Sequence, residues 1–156
     1  WTRIVDGSEG ATFGATPQAS AQYNGLICIP IKGASATSPF DTANSTNGRS
    51  SSQSIAGLTT ATADELLVGI KYGYGQAVTA DPANWTPRGT YDTVIEVYDR
   101  AVASAGVVSS EALTAAGLEG FVSMVAAFKA DVGSPAFPVH LLSAHTPFST
   151  NHRGRR

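Results

Sequence analysis

The stretch Glu65-Leu66-Leu67-Val68-Gly69-Ile70-Lys71-Tyr72 decides the fold. Leu66, Val68, Ile70 and Tyr72 alternate against Leu67, Gly69 and Lys71. A period of two puts successive side chains on opposite faces of a strand. The glycine-flanked segment Gly73-Tyr74-Gly75 closes it. Outward from this strand the same grammar recurs. In residues 22–32, Ile27, Ile29 and Ile31 share one face while Leu26 and Cys28 take the other, and Pro30 marks an edge or a bulge. In residues 121–129, Val122, Met124, Ala126 and Phe128 form the face expected to close the core. Residues 1–5, ended by Asp6-Gly7, and residues 11–16 and 55–62 are shorter candidates.

Two segments are ambiguous. Residues 93–103 fit both periods, and their β-branched residues favour a strand. Residues 107–119 contain Glu111-Ala112-Leu113-Thr114-Ala115-Ala116, which suits a helix, but Gly106, Gly117 and Gly120 bracket it tightly. Residues 33–54 and 76–91 are expected to be loops, being rich in Ser, Thr, Asn, Gly and Pro. Seven or so short strands predict an all-β fold, an antiparallel β-sandwich or jelly-roll-like domain over residues 1–131. Residues 132–156, with Pro135, Pro138, Pro147 and a basic end, are expected to form an extended C-terminal arm.

Composition narrows the function classes. Charged residues make up 14% of the 156, well under the usual quarter, and Gly (16) and Pro (8) serve many turns. Such a surface suits extracellular, virion or fibrous β-proteins. The net charge of −2 gives the whole chain no electrostatic case for nucleic acid. The single cysteine, Cys28, excludes an internal disulfide framework and is expected to be a buried thiol. No apolar run reaches the length of a membrane-spanning helix.

Chemistry is sparse. His140, His145 and His152 all lie in the arm, without the spacing of a zinc pair. Asp6, Glu9, Asp41, Asp64, Glu65, Asp81 and Asp92 sit beside turns, but no Asp-x-Asp-x-Asp run assembles them for calcium. Neither a metal nor a cofactor is expected, nor a catalytic set. Gly73-Tyr74-Gly75 lacks the rest of a nucleotide fingerprint. Trp85, Tyr74, Tyr91 and Asn84 cluster around one loop and are the candidate ligand-binding residues, as a stacking platform for a sugar. The plainer reading of these aromatics is core capping. In the arm, Phe137, Pro138, Leu141, Leu142, Phe148, Arg153, Arg155 and Arg156 are the candidate subunit contacts.

Several segments, in this order, resemble a loose family of phage and prophage virion surface domains. Trp1 to Thr12 is similar to its GW…(V/I)ADGSEGAT strand pair. Tyr23 to Gly33, followed by Ser38-Pro39-Phe40-Asp41, resembles its strand and SPFD loop. Thr59 to Gly69 resembles TTTADDELLVG, the most specific piece; Val97 to Gly106 and Val125 to Lys129 complete the set. The family pattern has further strands before the tryptophan, and their absence implies a shortened chain or strands lent by another subunit. The resemblance implies a non-enzymatic tail-fibre or capsid-decoration protein on a virion surface. It implies a homo-oligomer, a trimer by the habit of such proteins, seated on neighbours such as the major capsid protein. A carbohydrate-binding adhesin module for cell-surface glycans, extracellular rather than virion-bound, is the alternative.

Overall fold

The computed structural model describes residues 29–131, except 74, 92 and 93. They form an all-β, antiparallel, sandwich-like fold, with no helix among the described residues. The strands are β1 (Phe40–Ile55), β2 (Leu58–Thr60), β3 (Glu65–Gly73), β4 (Val78–Ala80), β5 (Thr86–Tyr91), β6 (Ile95–Val102), β7 (Gly106–Val108) and β8 (Glu111–Lys129). Five of them run in the order β1-β8-β3-β6-β5, and β4 pairs separately with β8. β2 and β7 make a separate two-stranded ribbon.

The deciding stretch is β3, hydrogen-bonded to β8 on one side and β6 on the other. Its start is covered on both faces: Leu66, Leu67 and Val68 are all buried. Two-sided burial explains why a strand with an alternating pattern is apolar at consecutive positions.

β1 and β8 supply both layers. Their ladder is regular from Ala43 opposite Ala126 to Ser50 opposite Glu119, then breaks and resumes with Ser52 opposite Thr114. β4 pairs with β8 at the resumed part, at Thr114 and Ala115. Ile55 pairs with Glu111 at the far end of that ladder. A Cβ placed on Gly69 would nonetheless sit 3.3 Å from Ile55 and 3.1 Å from Trp85. Gly69 pairs with Val125, so the far end of the β1–β8 ribbon folds back over the middle of the sheet. A bulge with glycines nearby (Gly117, Gly120) is the usual means of turning such a corner. The core lies between these layers: Ile55, Leu67, Trp85, Tyr98, Leu113 and Val125, with Leu58 and Val108 from the β2–β7 ribbon. Gly57 feeds this ribbon, and a Cβ there would lie 2.6 Å from the backbone at Val108 and Ser110.

Four expectations need correction. Most of the expected loop at 33–54 is β1, whose small polar residues pair with β8 along nearly their whole length. The expected loop at 76–91 contains β4 and β5. The helical option at 107–119 gives way to β7 and the first half of β8, because ladder partners outweigh local propensity. In residues 121–129, Phe121, Ser123, Val125 and Ala127 are buried, while of the expected face Phe128 is buried, Ala126 is half-buried and Val122 and Met124 are exposed. Residues 29–32 lie outside any strand, but Ile29 and Ile31 pack on one cluster, with Leu66, Val68 and Phe128. The candidate strands before residue 29, and the arm beyond 131, lie outside the described residues.

Candidate functional site

The residues singled out for ligand binding divide three ways. Trp85 is buried in the core at 6% exposure, with Gly69 making room for its ring. It therefore offers no solvent-facing stacking surface. The apolar interior between the layers claims the largest side chain of that loop. Asn84 is exposed, but its backbone N–H and its Nδ2 both donate to the Glu111 carboxylate, at 3.0 and 2.8 Å. Arg100 donates to the same carboxylate, so Asn84 is tied into a loop-fixing network. Tyr91 is half-buried, its ring against Gly89. Tyr74 and the arm residues Phe137, Pro138, Leu141, Leu142, Phe148, Arg153, Arg155 and Arg156 lie outside the described residues. The geometry does not assemble Trp85, Asn84 and Tyr91 into one exposed platform.

Sequence reasoning missed a buried polar cluster. Lys71 is completely buried, and its Nζ donates to Glu119 Oε1 at 2.8 Å. The same oxygen accepts from Gln53 Nε2 at 3.0 Å, and Glu119 Oε2 accepts the Gln76 N–H at 3.0 Å. Burial alone would push the Glu119 carboxyl up; the hydrogen bonds from Lys71, Gln53 and Gln76 outweigh it and hold the group below its ordinary value. Gly73 is required beside them, because a Cβ there would lie 2.5 Å from both Lys71 Nζ and Glu119 Oε1. Across the ladder from Lys71 stands Glu96, whose pKa burial raises while a hydrogen bond from Thr90 opposes the rise. The signal for this cluster was the lysine in the middle of an apolar strand.

The turn carboxylates are also occupied. Asp41 accepts the Ala61 N–H and pairs with Lys129 at 3.2 Å, and that backbone hydrogen bond comes first among the causes that lower its pKa. Glu65 caps the β2–β3 turn by accepting from the Thr62 N–H and hydroxyl. Asp81 accepts from the buried Tyr98 hydroxyl at 3.0 Å; burial first, then this bond, raise the Tyr98 pKa. Arg88 lies 2.8 Å from Asp99 on neighbouring strands. No group of three or more His, Cys, Asp or Glu suited to a metal occurs among the described residues. A shallow groove of about 500 Å³ runs between β1 and the β2–β7 ribbon, lined by Thr42, Asn44, Gly57, Thr59, Val107 and Ser109. Its walls carry hydroxyls, an amide and backbone but no acid or base for proton transfer.

Two surfaces are left. The first is the outer edge of β1. Among the described residues no strand pairs with that side, and contact comes from the neighbouring loop, where Asn44 Nδ2 donates to Gly57 O. The part of β1 still in the main sheet, residues 40–50, spans roughly 35 Å. Sheet edges are ordinarily guarded by proline, bulges or charge. The opposite edge, β5, is guarded in this way, with Pro87, a bulge before Gly89, and Arg88. On β1 the register slips between Phe40 and Ala43 and again between Ser50 and Ser52; the regular run between them, Ala43 to Ser50, has a single charge, Arg49, and no proline. The second surface is the sheet face away from the core. It is covered at the Leu66–Phe128 end, then opens to Met124 at 50% and Val122 at 40% exposure.

Comparison with known proteins adds no relative: no family model, curated protein or solved structure matches the chain.

Proposed function

We propose that this chain is a non-enzymatic structural protein of a virion, a capsid-decoration or fibre component that works by associating with copies of itself and with neighbouring virion proteins. The observation that carries the reading is the outer edge of β1 from Ala43 to Ser50, regular in register, without proline and with one charge. A row of backbone N–H and C=O groups along such an edge is a ready template for a strand from another chain, and burying them in a new ladder supplies association energy without any pocket. The small, neutral side chains at Ser45, Thr46, Asn47 and Gly48 let a second strand approach without charge repulsion. Residues 132–156 add the second contact region in this reading, and the segments that resemble phage surface domains supply the virion setting. The adhesin alternative loses support because its best aromatic, Trp85, is a core residue.

Multi-angle light scattering on the full chain tests it. The expected result is a defined homo-oligomer that dissociates when Ser45→Lys and Asn47→Lys place two charges on the exposed edge, with circular dichroism unchanged. A wild-type chain that stays monomeric at high concentration overturns the reading.

A further inference from the structure

The outer edge of β1 has a definite hydrogen-bonding pattern. In an extended strand the N–H and C=O of one residue point to the same side, and those of the next residue to the other. The Lys129 N–H donates to Pro39 O and the Lys129 C=O accepts from the Ser35 N–H, so the polar groups of Lys129 turn to the β1 side. β8 pairs with β3 without a slip from Lys129 to Phe121. Val125, Ser123 and Phe121 therefore turn the same way, toward their partners Asn44, Thr46 and Gly48. The Gly73 N–H donates to Val94 O on the far side of β3, which gives the same alternation. Ala43, Ser45, Asn47 and Arg49 thus present their backbone groups outward. All four are exposed. The Ser45 N–H donates to Asn44 Oδ1 at 2.8 Å, as an amide outside the β8 ladder would.

We propose that a second copy of the chain occupies this edge, its own β1 running antiparallel about a two-fold axis at Thr46. The symmetry follows from the edges. β5 is guarded by Pro87, a bulge and Arg88, which disfavours the head-to-tail pairing of β1 with β5 that a ring or a filament needs. Pairing β1 with β1 uses the same surface on both copies and closes at two. This dimer rests on the association reading above, names its partner, and replaces the trimer implied by the resemblance. The register follows from the outward groups, because residues that exchange hydrogen bonds across a new ladder must both face outward. With the axis at Thr46, Ser45 meets Asn47 and Ala43 meets Arg49, so every outward group from Ala43 to Arg49 is paired. Moving the axis to Ser45 or Asn47 runs one end into a register slip, at Asp41 or Ser51. The single charge, Arg49, lies opposite Ala43, and the two Arg49 side chains stand at opposite ends of the ladder. Asn44, whose Nδ2 donates to Gly57 O, meets Gly48, where no side chain crowds that contact. On docking, the Ser45 N–H exchanges Asn44 Oδ1 for the Asn47 carbonyl of the second copy.

The test is disulfide trapping in the full chain, in a Cys28→Ser background that removes the only native thiol. Thr46 stands opposite its own copy in a pair that exchanges no hydrogen bonds, where Cα atoms lie about 4.5 Å apart, within the span of a disulfide. Thr46→Cys, mildly oxidised, is expected to give a covalent dimer by intact mass and non-reducing electrophoresis. Arg49→Cys alone is expected to stay a free thiol, because the position opposite it is Ala43, about 20 Å along the strand from the other Arg49. Co-refolding Ala43→Cys with Arg49→Cys, both at exposed positions, should cross-link the two variants to each other. Free thiols in Thr46→Cys and in the mixture, from a chain that light scattering shows to be oligomeric, would overturn the two-fold pairing while leaving association intact, as would a trimer. A monomer would overturn both.

Discussion

Lys71 shows what a single residue can demand of its surroundings. A fully buried ammonium is tolerable only with an anion at contact distance and partners for the remaining donors, and Glu119 at 2.8 Å with the Gln76 carbonyl nearby at 3.5 Å meets that need. Lys71→Met is expected to cost about 3–5 kcal/mol, because it strands the Glu119 carboxylate. Lys71→Met with Glu119→Leu should cost less than Lys71→Met alone, since the stranded charge is gone. Urea denaturation of the double-mutant cycle measures both, and equal or additive losses would refute the pairing argument. Protonation follows the same geometry. Asp41 and Glu119 have lowered pKa values, so their contribution is complete above the unfolded carboxylate range and fades as pH falls through the folded values. Glu96 is raised, so its folded form holds the proton more tightly, and its contribution is lost as pH rises through the folded value. Melting temperature against pH should therefore fall steeply on the acid side. That fall should be shallower in Glu119→Gln, while Glu96→Gln should gain relative to wild type as pH rises above the ordinary carboxylate range.

At the scale of elements, Gly69 joins β3 to the ribbon folded above it. Gly69→Ala would press a methyl into Trp85 and Ile55 at 3.1 and 3.3 Å, and overpacking of this kind typically costs about 1–3 kcal/mol. Trp85→Ala should cost about 3–5 kcal/mol through the cavity it leaves. Thermal denaturation checks both, and a neutral Trp85→Ala would mean that the ring is not part of the core. These elements also show what could be read without the structure. β3 and β6 were legible because apolar partners on both sides leave an alternating, β-branched imprint in their own residues. β1 was not, because an edge strand buries little. Its Ser, Thr and Asn side chains carry no apolar imprint, and its strand state comes from β8, far away in sequence. The start of β8 looked helical for the same reason: alanines and a glutamate report local propensity, whereas the ladders that decide the matter are non-local. The faces of residues 121–129 were separable by alternation, but which face lies under the folded-back ribbon depends on the break in the β1–β8 ladder. Among the candidate ligand residues, Trp85 was conspicuous by type and misleading by position, since a large aromatic in a polar loop is as useful to a core as to a sugar.

The whole molecule inherits a kinetic consequence from this topology. β1 is the first described strand and β8 the last, and they pair from Phe40 opposite Phe128 to Ile55 opposite Glu111. β3, the centre of the sheet, also needs β8 before its second side is satisfied. β3, β6 and β5 can pair before the two ends of the described chain meet, but β3's second side and the whole β1 ladder wait for β8, and loop-closure entropy is spent before those ladders repay it. Folding should be cooperative and slow for the chain's size, in the range of about milliseconds to seconds typical of sheet proteins dominated by distant pairings. Stopped-flow refolding, followed by Trp85 fluorescence in a Trp1→Phe background, measures the rate. Native-state hydrogen exchange supplies the spatial counterpart. Amides of β3 and of β8 from Phe121 to Phe128 should exchange only through global unfolding, and those on the outer side of β1 should exchange fastest. Association through β1 would reverse that last feature. Slow exchange in β1 at high protein concentration, becoming fast on dilution, would locate the contact on this edge; protection of β1 that did not change with concentration would place the contact elsewhere.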